Sequence, residues 1–224
     1  GGARPTDPAW PAVSIEPRLG SWHEPEIRAF EERDRIDPPE PGRALFIGSS
    51  SIRMWSRLAG DMSPVPVLNR GFGGSSTPEV LAVFDRIVKP YEPRVIVYYC
   101  GDNDLGTEST NWQAAADGFI AFDQRARAEW PGIEVLYIAI KPSIARWSNW
   151  EAMRLANAEV ERYCAATPGA TFLDIATPML ATGEPPAASI FLDDGLHLNE
   201  AGYEMWTGVV RPEVIAAWRR ASIR

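Results

Sequence analysis

Residues 94–104 read Arg94-Val95-Ile96-Val97-Tyr98-Tyr99-Cys100-Gly101-Asp102-Asn103-Asp104, an apolar run that breaks at once into small and acidic residues. A run this short and this apolar fits a strand buried on both faces. It is far short of the roughly 20 residues that a membrane helix needs, so no membrane span is expected. Similar runs occupy residues 44–47, 65–68, 133–140 and 171–173. Between them lie amphipathic patterns near residues 51–58, 78–89, 111–129, 149–166 and 199–218. The 111–129 pattern sets Phe119, Phe122 and Ala126 on one helical face. The last sets Trp206, Val210, Val214 and Trp218 at four-residue spacing, and Pro212, which cannot donate to the Gly208 carbonyl, predicts a kink or break there. Strands alternating with helices predict an α/β fold, a parallel sheet covered on both faces.

Upstream, residues 1–20 are rich in proline and predict an extended arm lying on the domain surface. Residues 22–35 predict a helix with Ile27, Ala29 and Phe30 inward, ended by Pro38-Pro39 and Pro41-Gly42. The expected organisation is an arm and helix over 1–42, packed on a domain over 43–224. The chain opens Gly-Gly-Ala, with no initiator Met and no hydrophobic leader. A cytoplasmic protein and an exported one whose signal peptide has been removed are both consistent with that.

Composition narrows the function classes. The 224 residues carry 22 basic and 30 acidic side chains, a net charge of −8, with no dense Lys/Arg block. That argues against nucleic acid as a partner. The two cysteines, Cys100 and Cys164, fall in a strand-like run and a helical pattern with no ligand-type spacing, so buried free thiols are expected and a structural zinc site is not. Most of the nine tryptophans are expected to pack in cores. Histidine occurs only at positions 23 and 197, so a histidine base has almost no choice of candidate. His23 is read as a surface or capping residue.

Open parallel sheets bind ligands beyond the carboxyl ends of their strands. The first run is followed by Gly48-Ser49-Ser50-Ser51-Ile52, the second by Asn69-Arg70-Gly71-Phe72-Gly73-Gly74-Ser75-Ser76, and the third by Gly101-Asp102-Asn103-Asp104. Lys141-Pro142-Ser143 follows the fourth, and Asp193-Asp194-Gly195-Leu196-His197 comes beyond the last. Ser50, at a strand-to-helix turn, is a candidate nucleophile, with Ser49 and Ser51 as alternatives. The spacing of Asp194 and His197 can bring a carboxylate to an imidazole and fix its tautomer. Gly74 permits close backbone approach, and Asn103 offers a neutral amide donor; both suit an oxyanion. The glycine-rich stretch 71–76 lacks the third glycine of a dinucleotide-binding loop and follows the second strand, not the first.

Taken together, Phe46-Ile47-Gly48-Ser49-Ser50, Arg70-Gly71-Phe72-Gly73-Gly74, Gly101-Asp102-Asn103-Asp104 and Asp194-Gly195-Leu196-His197 stand in the order of four conserved blocks. In them the chain resembles the SGNH hydrolase family, also called GDSL esterases and lipases, across roughly residues 44–206. It resembles a branch with a Gly-Ser-Ser-Ser-Ile-Arg first block. The resemblance implies a three-layer α/β/α sandwich, flavodoxin-like, with a five-stranded parallel sheet in the order 2-1-3-4-5. It implies Ser50 as nucleophile, His197 as base and Asp194 as the residue orienting it. Ser50 N–H, Gly74 N–H and the Asn103 side chain would form the oxyanion hole. Two departures stand out: Ser49 sits where the family usually has Asp, and Ser75 where Asp is common after the oxyanion glycine.

The expected activity is hydrolysis of small, short-acyl-chain esters through an acyl-enzyme, with a carbohydrate O-acetylesterase as the alternative within that mechanism. Arg70, Lys141, Arg146 and Trp147 are expected at the mouth, where they would touch an anionic or sugar-like substrate. No cofactor or metal is called for. Two readings from other classes compete. A metal-dependent phosphoesterase would use Asp102, Asp104, Asp193, Asp194 and His197. A non-catalytic carbohydrate-binding module would need none of the nucleophile chemistry. Nothing in the residues specifies an oligomeric state.

Overall fold

In the computed structural model, which describes residues 9–106 and 109–222, the apolar runs become five parallel strands. They are β1 (Ala44–Gly48), β2 (Val67–Gly71), β3 (Val95–Tyr99), β4 (Glu134–Ile138) and β5 (Ala170–Leu173), in the order β2-β1-β3-β4-β5. The register sets Gly48 of β1 opposite both Gly71 of β2 and Tyr99 of β3. β1, β3 and β4 are buried along their whole length, which is why they read as continuous apolar runs.

Alternate residues feed two cores. Leu45, Ile47, Ile96, Tyr98, Val135 and Tyr137 face one. The helices over that face are α1 (Glu24–Ile36), α4 (Thr77–Ala82), α5 (Phe84–Ile87), α6 (Trp112–Glu129) and α7 (Trp150–Ala166). Phe46, Val97, Tyr99, Leu136 and Ile138 face the other. The helices there are α2 (Ser50–Arg53), α3 (Leu58–Asp61), α8 (Ala176–Leu180) and α9 (Glu200–Ser222). The result is the three-layer α/β/α sandwich with the expected strand order.

Local departures have local causes. The second strand begins two residues later than the apolar run: Pro66 has no N–H to give a ladder, and Val65 packs into the core beside Met62. The pattern at 51–58 divides into α2 and α3, because Trp55 turns inward and its Nε1 donates to Asp61 at 2.8 Å. The pattern at 78–89 divides likewise into α4 and α5. In α1, Ile27 and Phe30 are buried but Ala29 is exposed. α9 runs unbroken through Pro212. Pro212 and Gly208 both lie on its exposed face, where water can take the freed carbonyl, while Trp206, Val210 and Val214 hold the other face on the sheet.

The described part of the arm lies along α6: Val13 N–H donates to Gln124 Oε1 at 2.8 Å, and Gln124 Nε2 donates to the Pro11 carbonyl at 3.1 Å. Residues 1–8 of the expected arm lie outside the described residues. Cys100 and Cys164 are buried free thiols. Among the described residues no helix is long and apolar enough to cross a membrane.

Candidate active site

The segments carrying Ser50, Gly74 and Asn103 leave the carboxyl ends of β1, β2 and β3, which lie side by side, and the loop before α9 brings Asp194 and His197 to them. Gly48 ends β1 with φ +141°, and a Cβ there would fall 1.8 Å from the Tyr99 carbonyl oxygen. Only glycine lets β1 and β3 run this close while the chain turns into α2. Ser49 N–H then donates to that same Tyr99 oxygen at 3.0 Å. Asn69 pins α2 from the other side, its Nδ2 donating to the Ile52 carbonyl at 2.7 Å.

Of the three consecutive serines only Ser50 reaches the cleft. Ser49 and Ser51 are buried, and Ser51 Oγ accepts from Lys141 Nζ at 3.1 Å. Ser50 Oγ lies 3.1 Å from His197 Nε2. On the far side of the ring, His197 Nδ1 is hydrogen-bonded to Asp194 Oδ2. The loop makes that pairing local. The N–H groups of Leu196 and His197 donate to Asp194 Oδ1 at 2.9 and 3.0 Å, folding residues 194–197 around the carboxylate. Burial raises the Asp194 carboxyl, but the hydrogen bonds from the His197 ring and the two N–H groups outweigh it and bring it to about 2. Asp194 is therefore ionised through the neutral and mildly acidic range.

The β2 loop supplies the opposite wall. Gly74 has φ +67°, a conformation glycine adopts without strain. Gly73 N–H donates to Glu26 Oε2 at 3.3 Å, and Asn103 Nδ2 donates to the Ser75 carbonyl at 2.9 Å. The second amide hydrogen of Asn103 remains for another acceptor. Among the described residues, the N–H groups of Ser50 and Gly74 have no protein acceptor. The loop is tied to β3 again where Asp104 accepts from Thr77 Oγ1 at 2.6 Å. The buried hydroxyls of Ser49 and Ser75, the two positions where the resemblance expects Asp, have no hydrogen-bond partner among the described residues.

Ser50, Gly74, Asn103 and His197 share one cleft of about 410 Å³ with Trp22, Glu26, Arg53, Gly73, Arg146 and Leu196. A separate hollow of about 340 Å³ beside Trp55, Leu192 and Tyr203 contains neither Ser50 nor His197. A serine hydroxyl beside an imidazole whose other nitrogen is held by a carboxylate can lose its proton as it attacks a carbonyl.

Of the four expected substrate contacts, only Arg146 lines this cleft. Arg70 does not: it is buried, its Nε donates to the Tyr91 hydroxyl at 2.8 Å, and it pairs with Asp34 of α1. Arg70 sits in register with Ile47, so it faces the α1 side of the sheet and serves to hold α1. Lys141 is buried beneath α2, where Nζ donates to Asp102 Oδ2 at 2.6 Å. Trp147 stacks on Trp150, with ring centroids 6.4 Å apart, and is not among the cleft residues. His23 is not at the surface either. It is fully buried, stands edge-on to Phe72 and pairs with Glu79.

Asp102, Asp104 and Asp194, three carboxylates of the metal reading, face separate protein partners. Asp102 is held by Lys141, with Arg146 Nη1 3.5 Å away. Burial raises its carboxyl, and those two cations outweigh burial and lower it. Asp104 is taken by Thr77, Asp194 by His197, and Asp193 is exposed. Among the described residues no three His, Cys, Asp or Glu side chains converge to hold an ion.

Trp22, Glu26 and Arg53 were not legible as cleft residues. Trp22 and Glu26 carry no motif and reach the cleft only because α1 docks beside the β2 loop.

Comparison with known proteins bears on the same residues. The model of the GDSL-like lipase/acylhydrolase family matches residues 47–205. A relative from Bos taurus, platelet-activating factor acetylhydrolase IB subunit alpha1, is 28% identical over 167 residues, covering 71% of this chain and 69% of its own. The crystal structure of a GDSL-like lipase from Bacteroides thetaiotaomicron superposes with a TM-score of 0.73 at 20% identity, covering 85% of this chain and 98% of that one. A carbohydrate esterase family 3 structure from Talaromyces cellulolyticus gives 0.60 at 16% identity, covering 80% and 98%. Both structural likenesses are likenesses of fold.

Proposed function

Since the chain belongs to the GDSL-like lipase/acylhydrolase family, and is an ester hydrolase of that type, we propose that Ser50 is its nucleophile, His197 its base and Asp194 the residue that orients the base. One observation carries this reading: Ser50 Oγ lies 3.1 Å from His197 Nε2 while Asp194 holds Nδ1 of the same ring.

In the proposed reaction Ser50 Oγ attacks the ester carbonyl carbon and passes its proton to His197 Nε2. The carbonyl oxygen becomes an oxyanion, received by the N–H groups of Ser50 and Gly74 and by the free amide hydrogen of Asn103. The tetrahedral intermediate collapses, the C–O bond to the alcohol breaks, and the imidazolium returns the proton to the departing alkoxide. The acyl group is left on Ser50. Water then gives a proton to His197, attacks the acyl carbon, and the same sequence releases the acid and restores the serine. Asp194 stabilises the imidazolium formed in each half without taking its proton.

The acyl group is proposed to be short. The large apolar side chains lining the cleft are Trp22 and Leu196, set among Glu26, Arg53, Asn103 and Arg146. The relative named an acetylhydrolase is consistent with that.

Intact-mass measurement after exposure to a fluorophosphonate, with peptide mapping, tests the nucleophile. One adduct per chain at Ser50 is expected, and an ester panel should then favour acetyl over octanoyl groups. An adduct at another serine, or none on the folded protein, overturns the assignment. Activity lost to a chelator and restored by a divalent ion would favour the metal-dependent reading instead.

A further inference from the structure

The turn before α1 lies outside the residues that the family model matches, yet it forms one side of the cleft. Trp22 is 63% exposed, unusual for the largest side chain in a protein whose other tryptophans mostly pack inward. It is nevertheless held in place. One indole face lies against the His23 ring, with centroids 3.5 Å apart and planes at 33°. Its Cη2 edge covers Gly74 so closely that a Cβ there would fall 2.5 Å away. His23 is in turn fixed from behind by Glu79, whose Oε1 accepts from Ser76 Oγ at 2.7 Å. The indole is thus a braced platform with its outer face open, directly beside a proposed oxyanion donor. Around it stand Glu26, Arg53, Asn103 and Arg146. Arg53 Nε lies 3.9 Å from Glu26 Oε1, so a carboxylate and a guanidinium sit side by side at the rim.

We propose that Trp22 is a substrate-binding residue that stacks on the alcohol part of the ester, and that this alcohol is a pyranose sugar. The proposal rests on the ester-hydrolase reading of Ser50. A pyranose presents a flat C–H face, which suits an open indole, and hydroxyls around its edge. Carboxylate and guanidinium groups at the rim can take those hydroxyls as acceptor and donor. A hydrocarbon alcohol would bury its face on Trp22 but would also desolvate Glu26, Arg53 and Arg146 without giving them partners. A short acyl group leaves the greater part of a cleft of about 410 Å³ for the alcohol.

The test compares two acetyl esters that differ in the alcohol: methyl 6-O-acetyl-glucopyranoside, whose ring hydroxyls are free, and ethyl acetate. Wild-type protein is expected to show the higher kcat/KM on the sugar ester. Trp22→Ala is expected to lower that value about tenfold more than it lowers the value for ethyl acetate, with the loss in KM. Trp22→Tyr should restore most of it. Binding is read separately by calorimetry on Ser50→Ala, where the sugar ester should bind and the added Trp22→Ala change should abolish detectable heat. Equal losses on both esters, or no loss on either, overturn the role of Trp22. If wild type labels at Ser50 with fluorophosphonate yet ignores the sugar ester, the sugar proposal fails while the esterase reading stands. If Ser50 does not label, both fail.

Discussion

The chain has two histidines, and the fold gives each a carboxylate. In the loop before α9, His197 pairs with Asp194; in the turn before α1, His23 pairs with Glu79. The pairs differ in what meets the rest of the ring. His197 keeps a quarter of its side chain exposed, and its free nitrogen faces Ser50 Oγ. His23 is fully buried, with Trp22 on its face and Phe72 at its edge. On the proposed mechanism, a carboxylate partner does not by itself make a histidine a base. Access of its second nitrogen to a reacting group does, and burial behind an indole removes that access.

The contrast can be broken or sharpened by four changes. His197→Ala should lower kcat on the order of 10⁴-fold or more, measured on any ester the wild type turns over, with an unchanged circular dichroism spectrum. Asp194→Asn should lower kcat on the order of 10³-fold, because the imidazolium loses its counter-charge and the ring its tautomer. Asn103 lies between the two regions, its amide on the Ser75 carbonyl. Asn103→Ala should cost on the order of 10² in kcat with little change in KM, the scale of one oxyanion donor. His23→Gln should change kcat by less than about threefold; a loss approaching that of His197→Ala would collapse the distinction between the two rings.

His23 should show itself in stability instead. Burial lowers its pKa, against the pull of Glu79 and Glu26, so the folded ring binds its proton less readily than the unfolded one. The unfolded state then holds more protons below the ordinary histidine value of about 6.5, and stability is lost as pH falls through that range. Denaturant titrations from pH 8 to 5 should show this decline in the wild type and a smaller one in His23→Gln. Equal slopes would mean that His23 does not titrate differently on folding.

The strands and most of the proposed reacting groups are legible because they obey local rules. A strand buried on both faces is an unbroken apolar run, and the loops after such runs collect small and polar residues. Ser50, Gly74 and Asn103 follow β1, β2 and β3, whose parallel pairing brings those ends together, while Asp194 and His197 share one loop beyond β5 that leads into α9. What failed was the facing of single side chains. Arg70 also follows an apolar run, but its place opposite Ile47 turns it toward Asp34. Lys141 leaves β4 beneath α2 and is consumed by Asp102. His23 and Trp22 depend on how α1 docks, which no spacing within residues 22–35 encodes. Pro212 predicts a kink or break from the helix pattern alone; the helix runs on through it, with Pro212 on the exposed side.

Ser50 and His197 stand 147 residues apart along the chain. Closing so long a loop costs entropy that only a nearly complete sheet and a docked α9 can offset. In refolding, then, ester turnover should be among the last signals to return, after the helical and strand signals of the sandwich. On gentle heating it should be among the first to go, as soon as the start of α9 loosens from the sheet. On the proposed mechanism, catalysis doubles as a gauge of whether Ser50 and His197 have met.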